Sequence, residues 1–322
     1  MSVQQLSPVI RHPLAKGASR AGDRVLRALT ALAGLAAVAL LFGILYQVFH
    51  QASLAISKFG LGFLGAGEWN PVTSHFGAAD FLFGTAVTSC FALLIAGPLS
   101  LAIALFLTEL APRPLRAPVG ALVELLAAIP SVILGLWGIA VMGPALANTI
   151  EPALRSVLGF IPLFSGPSSP AGLLPAALVL TIMTVPIVSS VTKELFGSVP
   201  RELKEGALAL GATRWEMVRL VILPHSRSGI IGAVLLGLGR ALGEAIAVTM
   251  VVGHTPGIHA SLFATGDTLA SRIASEYLGA TTTLQISSLA YLAAVLLVLA
   301  VIANLIARAV AGAASVPGAV AR

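Results

Sequence analysis

Apolar residues gather into six runs, at approximately Ala28 to Phe49, Phe81 to Leu107, Val119 to Met142, Gly172 to Thr192, Gly229 to Gly253 and Ile286 to Val310. A hydrocarbon core about 30 Å thick needs roughly 20 apolar residues in a helix, and each run meets that length. None alternates with the period of two that a membrane strand requires, so the pattern disfavours a β-barrel. The pattern predicts an all-α, polytopic membrane protein with six transmembrane helices. Pro98, Pro130, Pro175 and Pro186 fall inside three of the runs. Packed membrane helices can satisfy the carbonyls that proline frees, so these are expected to kink the helices rather than end them. Three connections, near 50–80, 143–171 and 254–285, are rich in Gly, Pro, Ser and Thr. They are either short helices folded back over a cavity or plain links.

Composition agrees with the pattern. The 322 residues are 57% hydrophobic and 10% charged, against about 25% charged in a soluble domain. Cys90 is the only cysteine, which excludes an intrachain disulfide and a cysteine metal cage. The net charge of +6 suggests a nucleic-acid partner until the cations are placed. Fifteen of the 19 lie on one side: Arg11, Lys16, Arg20, Arg24 and Arg27; Arg113 and Arg116; Lys193, Arg201, Lys204, Arg214, Arg219 and Arg227; Arg308 and Arg322. Positive residues are retained in the cytoplasm, so both termini are expected there and no nucleic acid is needed to explain the charge. The first run is too long for a cleaved signal peptide and is expected to be a retained helix. The chain divides into a basic N-terminal segment (1–27), a permease domain (28–310) and a short cytoplasmic tail (311–322). The N-terminal cations serve as a topology anchor or bind anionic lipid.

The longest connection on that side, Lys193 to Ser228, carries helix punctuation. Pro200 suits a first helical position, Leu203, Ala207 and Leu210 recur at helical spacing, and Gly211 suits a stop. Thr213 and Glu216 form a capping box for a second helix, expected to end near Pro224. Charges at Arg201, Lys204 and Glu205 are expected on one side and apolar residues on the other, which suits a docking element or an amphipathic hairpin lying on the membrane.

Two ionisable residues fall inside a span, where a charge costs about 2.5–3.5 kcal/mol even on the lenient scale. Arg240 is 11 residues into the run from Gly229, and Glu244 is one turn further on the same face. Gly239 and Gly243 make a G-x-x-x-G step that would let a neighbouring helix approach closely. The pair is either a structural lock between helices or an oxyanion site, with the guanidinium fork binding the anion and Glu244 orienting it. Glu109 and Glu124 are expected to be solvated or paired with Arg113 and Arg116. His12, His50, His75, His225, His254 and His259 lack metal-ligand spacing, and no metal is expected.

Two sets of residues carry a resemblance. Glu205-Gly206-Ala207, three residues, Gly211, nine residues, Val221, one residue and Leu223-Pro224 resemble the EAA loop of ABC-importer permeases, with Gly206 and Val221 as mild departures. The segments KFGLGFLGAGEWNP (Lys58 to Pro71), FLTELAP (Phe106 to Pro112), ELLAAIPSVILGLWGI (Glu124 to Ile139) and GLGRALGEAIAVTMVVG (Gly237 to Gly253) are similar, in order and spacing, to the PstC family of phosphate-importer permeases. Ala245 and His254 depart from the polar residue and the Asn common there.

The resemblance implies a type I ABC importer permease of the bacterial inner (cytoplasmic) membrane. It implies ATPase coupling through Glu205, Gly206, Ala207, Gly211, Leu223 and Pro224, and phosphate passage at Arg240 and Glu244. The partners it implies are a second, PstA-like permease, a PstB-like ATPase dimer and a PstS-like phosphate-binding protein. No G-x-x-x-x-G-K-[ST] occurs in the chain, so ATP and Mg are expected on the ATPase, with no cofactor and no catalytic residue here. Alternatives are a permease for sulfate or molybdate, which could use the same loop and Arg, and a secondary transporter or channel.

Overall fold

The computed structural model describes residues 19–255 and 257–314. The calls on Arg11, Lys16 and the tail beyond 314 lie outside the described residues. Six helices are long and apolar enough to cross a membrane: Gly22–Phe59, Ala79–Leu110, Ser131–Leu158, Leu173–Ser198, Arg214–Gly243 and Thr283–Val310. Two compact units divide the chain at residues 50 and 51. The first consists of most of helix α1 (Ser19–Phe59), an apolar rod whose side chains are largely exposed.

In the second unit a two-residue antiparallel ladder, β1 (Trp69–Asn70) and β2 (His75–Phe76), precedes α2 (Ala79–Leu110). Next come α3 (Arg113–Ala128), α4 (Ser131–Leu158), α5 (Leu173–Ser198), α6 (Arg201–Ala209) and α7 (Arg214–Gly243). The short α8 (Ile246–Val251) and α9 (Leu269–Glu276) lead into α10 (Thr283–Ala314). Helix α5 is the centre, packed along α2 on one side and α7 on another, and α7 also packs on α10. Its burial follows from its sequence: Ala176, Ala177, Val179, Leu180 and Val188 are almost wholly enclosed, so no stripe is left for lipid. Gly237 of α7 permits the close crossing, because a Cβ there would lie 2.7 Å from side-chain carbons of Thr184 and Val188.

Two spans differ from the sequence expectation. The run from Val119 to Met142 is not one helix. Pro130 ends α3 instead of kinking it, because the residue before a proline is driven out of the helical region, and Ile129 is extended (φ −68°, ψ 123°). The third span therefore begins at Ser131 and extends to Leu158, taking up much of what the pattern assigns to a connection. The run from Gly229 to Gly253 is also divided: α7 is helical from Arg214 to Gly243, the chain breaks at Glu244, and α8 follows. Pro98 and Pro186 do lie inside continuous helices, and Ser100 donates to the Val185 carbonyl beside Pro186 at 3.2 Å. Pro175 sits in the first turn of α5, where its missing N–H is no loss.

The connections on the side opposite α6 are folded rather than plain. Glycines fit where the backbone leaves no room for a side chain: a Cβ on Gly84 would fall 1.9 Å from the Asp267 carbonyl oxygen, and one on Gly143 2.1 Å from that of Pro170. Phe63 stacks on Tyr291 at 4.3 Å between centroids, which fixes the turn after α1 to α10.

Candidate transport site and coupling loop

The charged pair sits at the break between α7 and α8. Arg240 is in the last turn of α7, where a cation is favoured by the helix dipole, and its Nη2 is 3.2 Å from Glu244 Oε2. Glu244 has left the helix (φ −73°, ψ 115°), and its Oε1 accepts the Ala247 N–H at 3.3 Å. The carboxylate thus caps α8 while it holds the guanidinium. Its side chain is 6% exposed, whereas that of Arg240 is 44% exposed, so the anion is enclosed by the fold and the cation projects from an uncovered face. Helix α7 begins at Arg214 rather than Gly229, so Arg240 lies near its end rather than 11 residues into it. Gly239 and Gly243 are exposed, and among the described residues nothing outside α7 lies within 4 Å of where a Cβ would sit.

The coupling segment keeps the predicted hinge and differs in what it exposes. Pro200 precedes α6 as its N-cap, and Gly211 turns the chain at φ +90°. Thr213 Oγ1 accepts the Glu216 N–H at 3.3 Å and Glu216 Oε2 accepts the Thr213 N–H at 2.8 Å, completing the capping box. The second helix does not stop near Pro224. A π-turn over Val218–Ile222 shifts the hydrogen bonding to i→i+5 just ahead of the proline, and Leu223 and Pro224 continue α7. Glu205, Gly206 and Gly211 are exposed, as are Leu203, Leu208 and Leu210, while Ala207 packs inward against the apolar cluster that contains Phe196 and Val218. The charge-outside pattern therefore fails at Lys204, which points into the protein toward Glu109 at 2.6 Å. Glu124 likewise pairs with Lys193 at 3.0 Å rather than with Arg113 or Arg116, since α3 lies along α5.

The opposite side contains a buried polar cluster that the sequence conceals. Arg272, which pattern places in an outer connection, is 9% exposed, pairs with Asp267 at 2.7 Å and with Glu276, and stacks over Phe81. Trp69 Nε1–H donates to Glu276 Oε2 at 2.8 Å. His254 joins through Nδ1, 3.3 Å from Asp267 Oδ2, with Nε2 2.8 Å from the Thr249 carbonyl. It holds φ +51°, a conformation that Asn also tolerates. The Asp267 hydrogen bond raises the His254 pKa above the ordinary imidazole value, against the opposing effect of burial. The only signal in the sequence is the Arg272/Glu276 spacing of four. Among the described residues no cluster of His, Cys, Asp and Glu could hold a metal ion.

Six spans with an exposed two-helix loop before the fifth fit the class of permeases of the binding-protein-dependent importers. Residues 96–315 match the family described as "Binding-protein-dependent transport system inner membrane component". The chain is 44% identical over 313 residues to the phosphate transport system permease protein PstC of Mesorhizobium japonicum, covering 95% of this chain and 96% of that one. It is 46% identical to the PstC of Haemophilus influenzae over 252 residues, 77% and 80% of the two chains. Among solved structures, a bacterial alginate ABC transporter in complex with its alginate-bound periplasmic protein aligns with TM-score 0.57 at 20% identity, covering 90% of this chain and 97% of that one. The chain belongs to this inner-membrane permease family, in its PstC branch, and is a multi-pass inner-membrane protein.

Proposed function

We propose that the chain is the permease subunit of an ATP-driven phosphate importer, working by alternating access. The observation that carries the reading is the exposed guanidinium of Arg240, held by a buried carboxylate at a helix break. A guanidinium fork can hold a phosphate through two charge-assisted hydrogen bonds. The Glu244 carboxylate beside it weakens that hold, which a transported ion needs in order to leave. Gly239 and Gly243 leave that part of α7 free for a second, PstA-like permease, so that Arg240 faces the path between the two subunits.

The exposed face of α6, with Glu205, Gly206 and Leu208, would dock on a PstB-like ATPase dimer that binds ATP and Mg, and a PstS-like protein would deliver phosphate from the opposite side. Both termini and α6 would then be cytoplasmic, in accord with the distribution of cations. Closure of the ATPases moves α6, and the continuous helix from Arg214 to Gly243 carries that motion to Arg240. The chain performs no covalent chemistry in this scheme.

The test is uptake of labelled phosphate at limiting concentration in cells lacking this chain and restored with wild type, Arg240→Ala or Gly211→Pro. Uptake that returns with wild type, resists excess sulfate and molybdate, and fails in both inserted variants supports the reading. Competition by either oxyanion changes the substrate. Uptake that persists without the ATPase refutes the importer and favours a secondary transporter or channel.

A further inference from the structure

The end of the bundle that carries α6 contains an enclosed ion pair separate from those of Arg240 and Arg272. Lys204 projects inward from α6, and its Nζ lies 2.6 Å from Glu109 Oε1, with the two side chains 16% and 14% exposed. The same ammonium donates to the Phe196 carbonyl at 2.9 Å. Phe196 is in the last turn of α5, whose carbonyls have no partner within the helix, and a cation is favoured there. Glu109 lies in the π-turn that ends α2. One ammonium therefore joins α6 to the ends of two spans, and one of these is the buried centre of the bundle.

Packing alone does not require this arrangement. Met217, Val218 and Ile222 already close an apolar cluster with Phe196 and Val199 under the loop. An enclosed ion pair is weak evidence of stability, since apolar side chains of similar volume commonly serve as well. What it supplies is a directional link. Beside it lies a cavity of about 540 Å³, lined by Leu105, Leu110, Leu208, Arg214 and Trp215 among others. The cavity leaves α6 room to shift against the end of α2, and across that gap the ion pair is the charged connection between them.

We propose that Lys204 is a positioning residue for coupling, which transmits displacement of α6 to α2 through Glu109 and to α5 through the Phe196 carbonyl. The inference rests on the proposed reading that α6 receives the motion of the ATPase. Neutralising either partner leaves α6 able to dock and hydrolysis able to proceed, while less of each cycle reaches the spans. Arg214, on the wall of the same cavity, is the cation then left near Glu109.

The experiment is phosphate moved per ATP hydrolysed, in proteoliposomes holding the full complex with its binding protein. The variants are Lys204→Gln, Glu109→Gln and the exchanged pair Lys204→Glu with Glu109→Lys. The neutral variants are expected to lose about tenfold in that ratio, within the 5–150-fold typical of coupling between sites, while keeping ATP hydrolysis. The exchanged pair is expected to recover part of it. An unchanged ratio in both neutral variants overturns the proposal. So does an exchanged pair that restores the amount of complex without the ratio, which marks a purely structural contact. A wild-type complex that hydrolyses ATP but moves no phosphate refutes the substrate reading instead. The same ratio is then taken for the oxyanion that the complex does move, sulfate or molybdate.

Discussion

Glu244 holds Arg240 from outside the helix that carries it: its carboxylate lies 3.2 Å from the guanidinium while capping α8 through the Ala247 N–H. The i,i+4 spacing alone suggests two residues on one helical face, whereas the structure places them across a break. Removing Glu244 therefore costs two things, the orientation of Arg240 and the start of α8. Glu244→Gln keeps a side-chain oxygen for the Ala247 N–H and loses only the ionic partner. Glu244→Ala loses both, and Arg240→Ala loses the cation. A charge-assisted hydrogen bond contributes about 1.5–3 kcal/mol, so Arg240→Ala is expected to lower phosphate uptake at limiting substrate by tenfold or more. Arg240→Lys recovers only part, since an ammonium lacks the planar fork. Full uptake by Arg240→Ala at normal membrane levels would remove this residue from the path.

Gly211 separates α6 from the capping box at Thr213 with φ +90°. A Cβ there would meet no other atom, so crowding is not the difficulty. The cost is conformational: a left-handed backbone disfavours an L side chain by about 1–2 kcal/mol. Gly211→Ala is expected to insert normally, because no span includes this residue, and to reduce uptake several-fold through a tilted α6. Gly197→Ala, at an exposed position of α5 with nothing within 4 Å of the added Cβ, is the matched control. Equal uptake by the two variants would show that the angle of the hinge does not matter.

Much of this architecture is legible because lipid imposes a simple rule on composition: long apolar runs mark the spans, and the Glu205-to-Pro224 spacing marks the loop. Pattern fails where the deciding fact is local backbone chemistry. Pro98 and Pro130 both interrupt apolar runs, yet only Pro130 ends a helix, and hydropathy does not distinguish them. The break at Glu244 is equally hidden, since it depends on a carboxylate serving both helices. Arg272 falls in the 254–285 connection with no sign of its burial, because its partners, Asp267, Phe81 and Glu276, are brought together by tertiary folding. Lys204 is misassigned for the same reason: its partner is 95 residues away in sequence.

Gly84 tests the closure of the bundle on the side opposite α6. The Asp267 carbonyl rests where its Cβ would be, at 1.9 Å, and a backbone oxygen in a buried polar cluster cannot move without disturbing the Arg272 pairing. Overpacking of this kind costs about 1–3 kcal/mol, occasionally more. Gly84→Ala is expected to lower the melting temperature of the purified protein and its level in membranes. Gly97→Ala, in the same helix with nothing within 4 Å, should change neither. Equal melting of the two variants would mean that the backbone at Asp267 is not seated on α2.

His254 makes the stability of that side depend on pH. Both ring nitrogens face acceptors, the Asp267 carboxylate and the Thr249 carbonyl, so only the doubly protonated imidazolium donates to both. The Asp267 hydrogen bond, with smaller help from its charge, raises the pKa above the ordinary value near 6.5, while burial and Arg272 act against it. A group whose pKa rises on folding adds stability that is complete below its unfolded value and fades as pH climbs through the folded one. The added stability is therefore expected in full below about pH 6.5 and to decline above it. His254→Asn tolerates the positive φ and keeps an amide donor for Asp267, but it does not titrate. The difference in melting temperature between wild type and His254→Asn, followed in lipid nanodiscs from acid to alkaline pH, should shrink as pH rises. A constant difference would mean that His254 does not change its proton occupancy on folding.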